Sequence, residues 1–149
     1  MSDMPNAARQ TAASDEIARK LQAHGIQPTP QRIEIAALFL AGDMHLSADQ
    51  VIARVSQGGR PVSKATVYNT LGLLAGRGLL TQVRVDSSKI FYDSNLQPHY
   101  HFYNADLGEL IDVDAQALPV EHLPSPPPGT CVEGVDVVIR IRSRPLHDR

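Results

Sequence analysis

Four helix-start signals crowd into the first 63 residues of this 149-residue chain, and after the fourth helix the hydrophobic period turns from helical to alternating. Ser14 precedes Asp15 and Glu16, whose charges suit a helix N-terminus, with Ile17 and Leu21 on one face and Gly25 as the stop. Thr29-Pro30 reads as an N-cap and a first-position proline, opening an apolar helix from Gln31 to about Ala41. Ser47 with Gln50 has capping-box spacing and starts a helix through Val51, Ile52 and Val55, which Gly58-Gly59 breaks. Ser63 caps a fourth helix that runs to about Gly76. Leu79 to Asp86 and Ile90 to Asp93 then flank Ser87-Ser88 as a two-stranded ribbon. Helices followed by a recognition-type helix and a ribbon, in that order, form a winged helix-turn-helix pattern.

Beyond Gln97 the signals are strands: His99–Tyr103, Glu109–Val113 and Val135–Arg142. Leu123-Pro-Ser-Pro-Pro-Pro-Gly129 separates the last two, and its prolines forbid an interior helix or strand. Residues 1–13 are small and polar and read as a flexible arm. The expected class is α+β, with a winged helix-turn-helix over 14–92 and a small C-terminal α/β domain over 93–149. A hydrophobic fraction of 42% supports a real core and excludes wholesale disorder. The longest apolar run is Ile35 to Ala41, against about 20 residues for a spanning helix. No signal segment opens the chain, so the expected location is cytoplasmic. Cys131, the single cysteine, makes neither an intramolecular disulfide nor an all-cysteine metal site.

A net charge of −2 suggests no partner, but it conceals a division. Residues 1–90 carry ten Lys/Arg against seven Asp/Glu, or +3; residues 91–149 carry four against nine, or −5. The positive half contains the fourth helix, where Val67, Leu71 and Leu74 form the buried stripe. Lys64, Thr66, Tyr68 and Asn69 occupy the other side, in the N-terminal half that enters the major groove in helix-turn-helix proteins. Asn pairs with adenine, Thr and an aromatic ring meet a thymine methyl, and Lys reaches guanine or phosphate. Arg77, Arg84 and Lys89 place positive charge beside or on the wing, suited to phosphate. An ordinary solvated helix face would carry the same residue types.

His99-Tyr-His101 on a strand puts two imidazoles on one side. A turn centred on Asp106-Leu107 sets His101 opposite Asp112 and His99 opposite Asp114. Two histidines with one or two carboxylates suit Fe(II), Mn(II) or Zn(II), and the spacing does not choose among them. A pair of surface histidines would share this local pattern. His24 reads as a cation capping a helix C-terminus, and His122 and His147 as surface residues.

Gly25-Ile-Gln-Pro-Thr-Pro-Gln-Arg32, His45-Leu-Ser-Ala-Asp49, Ala65-Thr-Val-Tyr-Asn69 and His99-Tyr-His101, in that order, closely resemble the ferric uptake regulator (Fur) superfamily. The resemblance covers roughly Ala23 to Asp114. It implies a dimeric transcription regulator, usually a repressor, with an N-terminal winged helix, a C-terminal dimerisation domain and a palindromic DNA operator. It also implies a regulatory metal site at His45, Asp93, His99, His101 and Asp112. Aspartates at the two carboxylate positions, and Asn69 after Tyr68, are similar to the peroxide-sensing branch, where iron-catalysed oxidation of histidine ligands inactivates the repressor.

The departures are specific. Family members commonly hold a structural zinc with two CxxC pairs; here Asn104 and Leu107 stand at the first pair's positions, and the second pair is absent. No structural zinc held by four cysteines is expected. Pro98 and Tyr100 stand where a secondary metal site would need His and Asp. The proline segment and the Val135–Arg142 tail resemble the iron response regulator branch, which responds to iron status through haem. Cys131 is followed by Val132, so the haem-linked Cys-Pro of some of those proteins is missing, and Cys131 reads as packed or incidental. The alternatives are therefore a haem-responsive regulator, with His99 or His101 as axial ligand, and a metal-independent winged-helix DNA binder. An enzymatic reading, the two-His-one-carboxylate triad of a non-haem iron oxygenase, needs a deep barrel pocket for which the chain has too little strand.

Overall fold

In the computed structural model, which describes residues 6–58, 61–119 and 122–145, the chain divides into two units, 1–96 and 97–149. The first unit follows its cap signals closely. Helix α1 spans Asn6–Ala23, α2 Pro30–Leu40, α3 Ala48–Ser56 and α4 Lys64–Gly76. The Thr29 hydroxyl accepts the Arg32 N–H at 3.3 Å and caps α2. Ser47 and Gln50 close the expected capping box: the Ser47 hydroxyl accepts the Gln50 N–H at 3.3 Å, and the Ser47 N–H donates to Gln50 Oε1 at 2.9 Å. Ser63 caps α4 through the Thr66 N–H at 3.1 Å. Each cap satisfies a donor that the first helical turn leaves without an intrahelical partner.

Three features of this unit differ from expectation, and in the second unit the expected Val135–Arg142 strand is shorter, Val138–Ile141. Helix α1 begins at Asn6, not Ser14, because the Ala-, Gln- and Arg-containing run before Ser14 is itself helix-forming; residues 1–5 of the expected arm, Gly59 and His147 lie outside the described residues. A strand unforeseen from sequence, β1 (His45–Ser47), precedes α3. Three residues are too few to show alternation, and pairing with a later strand creates this one. Strand β2 is shorter than the expected Leu79–Asp86 and covers Thr81–Arg84. Leu79 and Leu80 instead donate back to the Leu74 carbonyl, at 2.9 and 3.2 Å, around Gly78 with φ of +81°. Asp86 belongs to the turn, where its carboxylate accepts the Ser88 N–H at 2.8 Å.

Strand β3 (Ile90–Asp93) pairs antiparallel with both β1 and β2, so the wing is a three-stranded sheet in the order β1-β3-β2. Leu21, Ile35, Phe39, Val51, Val67 and Leu71 are fully buried and make one core with Leu79, Leu80 and Tyr92. Val67, Leu71 and Leu74 are the expected inward stripe of α4, joined by Thr70.

The second unit is a mixed sheet in the order β5-β4-β6, where β4 is His99–Asn104, β5 is Glu109–Asp114 and β6 is Val138–Ile141. β4 pairs antiparallel with β5 and parallel with β6. Among the described residues its helical part is the single 3-10 turn Ala115–Ala117. The positions of the first missing cysteine pair belong to a polar clasp. Buried Asn104 accepts the Asp106 and Leu107 N–H groups at 3.0 and 3.2 Å and donates to Ser143 Oγ at 3.2 Å. Asp106 accepts the Arg142 guanidinium and the Ser143 N–H, both at 2.9 Å. The β4–β5 turn is thereby tied to the segment after β6 without a metal.

Candidate metal centre and nucleic-acid interface

The register of β4 on β5 sets His101 opposite Asp112 and His99 opposite Asp114, as the turn position requires. Side chains alternate along a strand, so His99, His101, Asp112 and Asp114 share one face. His101 is buried, and its Nε2 lies 3.3 Å from Asp112 Oδ1. His99 Nε2 lies 3.7 Å from the same oxygen, and the two rings meet edge to face at 4.5 Å between centroids. Asp114 turns to another task, its carboxylate capping the 3-10 turn through the Gln116 N–H at 2.8 Å.

One hydrogen bond settles the chemistry of His99. Its Nδ1 lies 2.6 Å from the Gln97 carbonyl oxygen, which only accepts, so Nδ1 carries the proton. In the neutral ring Nε2 is then an acceptor, directed at a carboxylate oxygen that also accepts. A proton on Nε2 or a cation between the two atoms would each reconcile them. Ligands about 2.1 Å from one ion at tetrahedral or octahedral angles lie roughly 3.0–3.4 Å apart, close to the spacing of these atoms. His99, His101 and Asp112 each offer a ligand atom within 4.8 Å of the others. A ring N–H anchored on a backbone carbonyl is also the usual outer support of a metal-bound histidine. The residues fit a divalent cation. Gln97 acts through its backbone, which leaves no mark in a sequence.

The other two expected ligands belong to the first unit and are brought together there. His45 begins β1 and Asp93 ends β3, and they are direct cross-strand partners. Asp93 is 1% exposed, and its Oδ1 accepts the Asn95 N–H at 2.8 Å. The half-buried His45 ring stands edge-on to Phe91, 6.5 Å between centroids.

The expected nucleic-acid residues lie on the surface of the same unit. Lys64, Tyr68 and Asn69 are exposed on α4, opposite its buried stripe. Thr66 is half-buried, with its hydroxyl 2.8 Å from Ser63 Oγ in the cap. Arg84 is exposed on β2, and Lys89 holds its ammonium 5.2 Å above the Phe91 ring. Arg77 is exposed but lies over the Gly25 turn, where a Cβ would come within 3.0 Å of its Nη1. Burial and the neighbouring Tyr68 phenol raise the Tyr92 hydroxyl above the ordinary tyrosine value. His24 donates from Nδ1 to the Lys20 carbonyl at 2.8 Å, the expected C-terminal cap of α1. Exposed Cys131 and His122 take no part in either cluster. No helix among the described residues is long and apolar enough to cross a membrane.

Comparison with known proteins gives a consistent picture. The sequence model of the ferric uptake regulator family matches residues 23–122. A peroxide-responsive repressor PerR from Staphylococcus aureus (strain Mu50) is 29% identical over 98 residues, which are 66% of this chain and 66% of the relative. The chain thus spans just under two thirds of that relative's length. The structure of a ferric uptake regulator from Pseudomonas aeruginosa with manganese superimposes with a TM-score of 0.63 at 25% identity, covering 85% of this chain and 97% of that one. The Vibrio cholerae ferric uptake regulator shares the fold, with a TM-score of 0.66 at 18% identity over 85% and 98% of the two chains. These are regulators, not enzymes. With the winged unit, the sheet unit and two thirds of its length matched, the chain belongs to the ferric uptake regulator family.

Proposed function

We propose that this protein is a metal-responsive transcriptional regulator, a repressor, that binds a palindromic DNA operator as a homodimer. The single observation that carries the reading is the convergence of His99 and His101 Nε2 on one Asp112 oxygen. His45 and Asp93 complete the ligand set. The cation is Fe(II) or Mn(II), with Zn(II) an in vitro substitute, because imidazole mixed with carboxylate suits all three. A cation held at these residues would couple metal binding to operator binding. The histidines donate through Nε2, the Gln97 carbonyl fixes the His99 ring, and Asp112 and Asp93 offset the ion's charge. Such a device shifts operator affinity only by the cation's differential binding to the free and operator-bound protein, typically about 1–3 kcal/mol.

Lys64, Thr66, Tyr68 and Asn69 read the major groove, while Arg77, Arg84 and Lys89 hold phosphate. A homodimer is supported by the other face of the second sheet. Phe102 stands between Ile111 and Ile139, and Tyr100 beside Val113. Ile111 remains 44% exposed on that face, and a second copy would cover it. The likeness to a peroxide-responsive repressor supports oxidant as the signal.

Gel-shift titration of a palindromic operator with metal-free, Mn(II)-loaded and haem-loaded protein tests the reading. Mn(II) is expected to tighten binding about 5- to 150-fold. Tightening by haem alone supports a haem-responsive regulator, and equal affinity in all three states a metal-independent binder.

A further inference from the structure

Ser94 immediately follows Asp93, and Met44 immediately precedes His45. The two residues extend the β1–β3 ladder one step past the His45–Asp93 pair. The Ser94 N–H donates to the Met44 carbonyl at 2.9 Å. Its hydroxyl takes the place of a backbone carbonyl in the return bond: Oγ accepts the Met44 N–H at 3.0 Å. The hydroxyl hydrogen faces the Gly42 and Met44 carbonyls, 3.1 and 3.2 Å from Oγ. One side chain therefore clips the whole entry to β1 onto the end of β3. β1 is an edge strand of three residues, so its own ladder bonds hold His45 weakly. On the other strand, the Asn95 N–H pins Asp93 Oδ1.

We infer that Ser94 is a positioning residue for the metal site: its hydroxyl fixes the His45 backbone against the end of β3, so that the His45 side chain is set before a cation arrives. The inference rests on the reading of His45 as a ligand. Ser94 touches no cation and donates no ligand atom; it acts through His45. Partners of this outer kind typically govern metal affinity about 10- to 100-fold. Threonine keeps the hydroxyl, and valine has threonine's shape without it.

The test measures Mn(II) affinity of the full chain by loss of the free-ion electron paramagnetic resonance signal. It compares wild type, Ser94→Val, Ser94→Thr, His45→Ala and the double variant His45→Ala with Ser94→Val, with metal-free melting curves recorded alongside. Ser94→Val is expected to weaken Mn(II) binding about 10-fold or more, Ser94→Thr to retain it, and Ser94→Val to change nothing further once His45 is alanine. Equal losses with and without His45 would overturn the inference, because Ser94 would then act on the fold at large. Unchanged binding in Ser94→Val, with His45→Ala weakened, would overturn the inference alone. Unchanged binding in His45→Ala would overturn the ligand reading and the inference with it. Should Ser94→Val not fold, Ser94→Ala serves in the same comparison.

Discussion

His101 and Asp112 are direct cross-strand partners, Nε2 to Oδ1 at 3.3 Å, with the imidazole buried and the carboxylate partly exposed. The exposed carboxylate is a modest contributor to stability but a strong one to cation binding, since it places negative charge beside the two imidazole Nε2 atoms. Asp112→Asn keeps the shape and removes the charge. Its Mn(II) affinity is expected to fall beyond the roughly 10- to 100-fold loss typical of outer partners, with the metal-free melting temperature little changed. Calorimetric titration and thermal melting check both.

Asn69 is exposed on α4 and Arg84 on β2, and the proposed function gives one a base and the other a phosphate. Asn69→Ala should cost about 1–3 kcal/mol at one operator position and relax the preference there. Arg84→Ala should weaken binding to all sequences alike and reduce the salt slope by about one. Operator variants titrated at several salt concentrations distinguish the two.

Asn104 uses both ends of its amide to hold the β4–β5 turn and Ser143. Alanine there takes the acceptor from two part-buried backbone donors and loses the Ser143 contact, at a cost of about 1 kcal/mol. The neighbouring Arg142–Asp106 pair is solvent-exposed, and Arg142→Ala should cost less. The clasp is built of hydrogen bonds, so a chelator should leave the fold intact. Melting curves of the two variants, with and without chelator, check these expectations.

Tyr92 is buried in the winged unit, and burial with Tyr68 nearby raises its phenol above the ordinary value of 10.0. The unfolded chain then releases this proton before the folded one does. Stability from this group is full below about pH 10 and is lost as pH rises through the raised value. Tyr92→Phe should flatten that alkaline loss and remove a late-titrating component from the phenolate absorbance.

Much of this architecture is written locally. Thr29, the Ser47–Gln50 pair and Ser63 mark helix starts because each cap involves residues only three apart. The His99/His101/Asp112 cluster was legible for a similar reason: a short turn fixes the register, and register fixes the face. What escaped is non-local. β1 exists only because β3, about 45 residues later, offers it an edge, and the Ser94 clip spans the same distance. The Gln97 carbonyl that orients His99 belongs to a backbone group every residue has. The N-terminus of α1 was misplaced because the acidic pair at Asp15 and Glu16 resembles a start, while the preceding alanine-rich run continues the helix.

The central claim is that a cation at His99, His101 and Asp112 controls DNA affinity, and one ratio tests it most directly. Operator dissociation constants are measured with and without Mn(II) for wild type and for His99→Ala with His101→Ala, after confirming that both are folded dimers. The expected result is tightening by Mn(II) of about 5-fold or more in wild type and a ratio near one in the double variant. An equal metal-dependent gain in both proteins would contradict it.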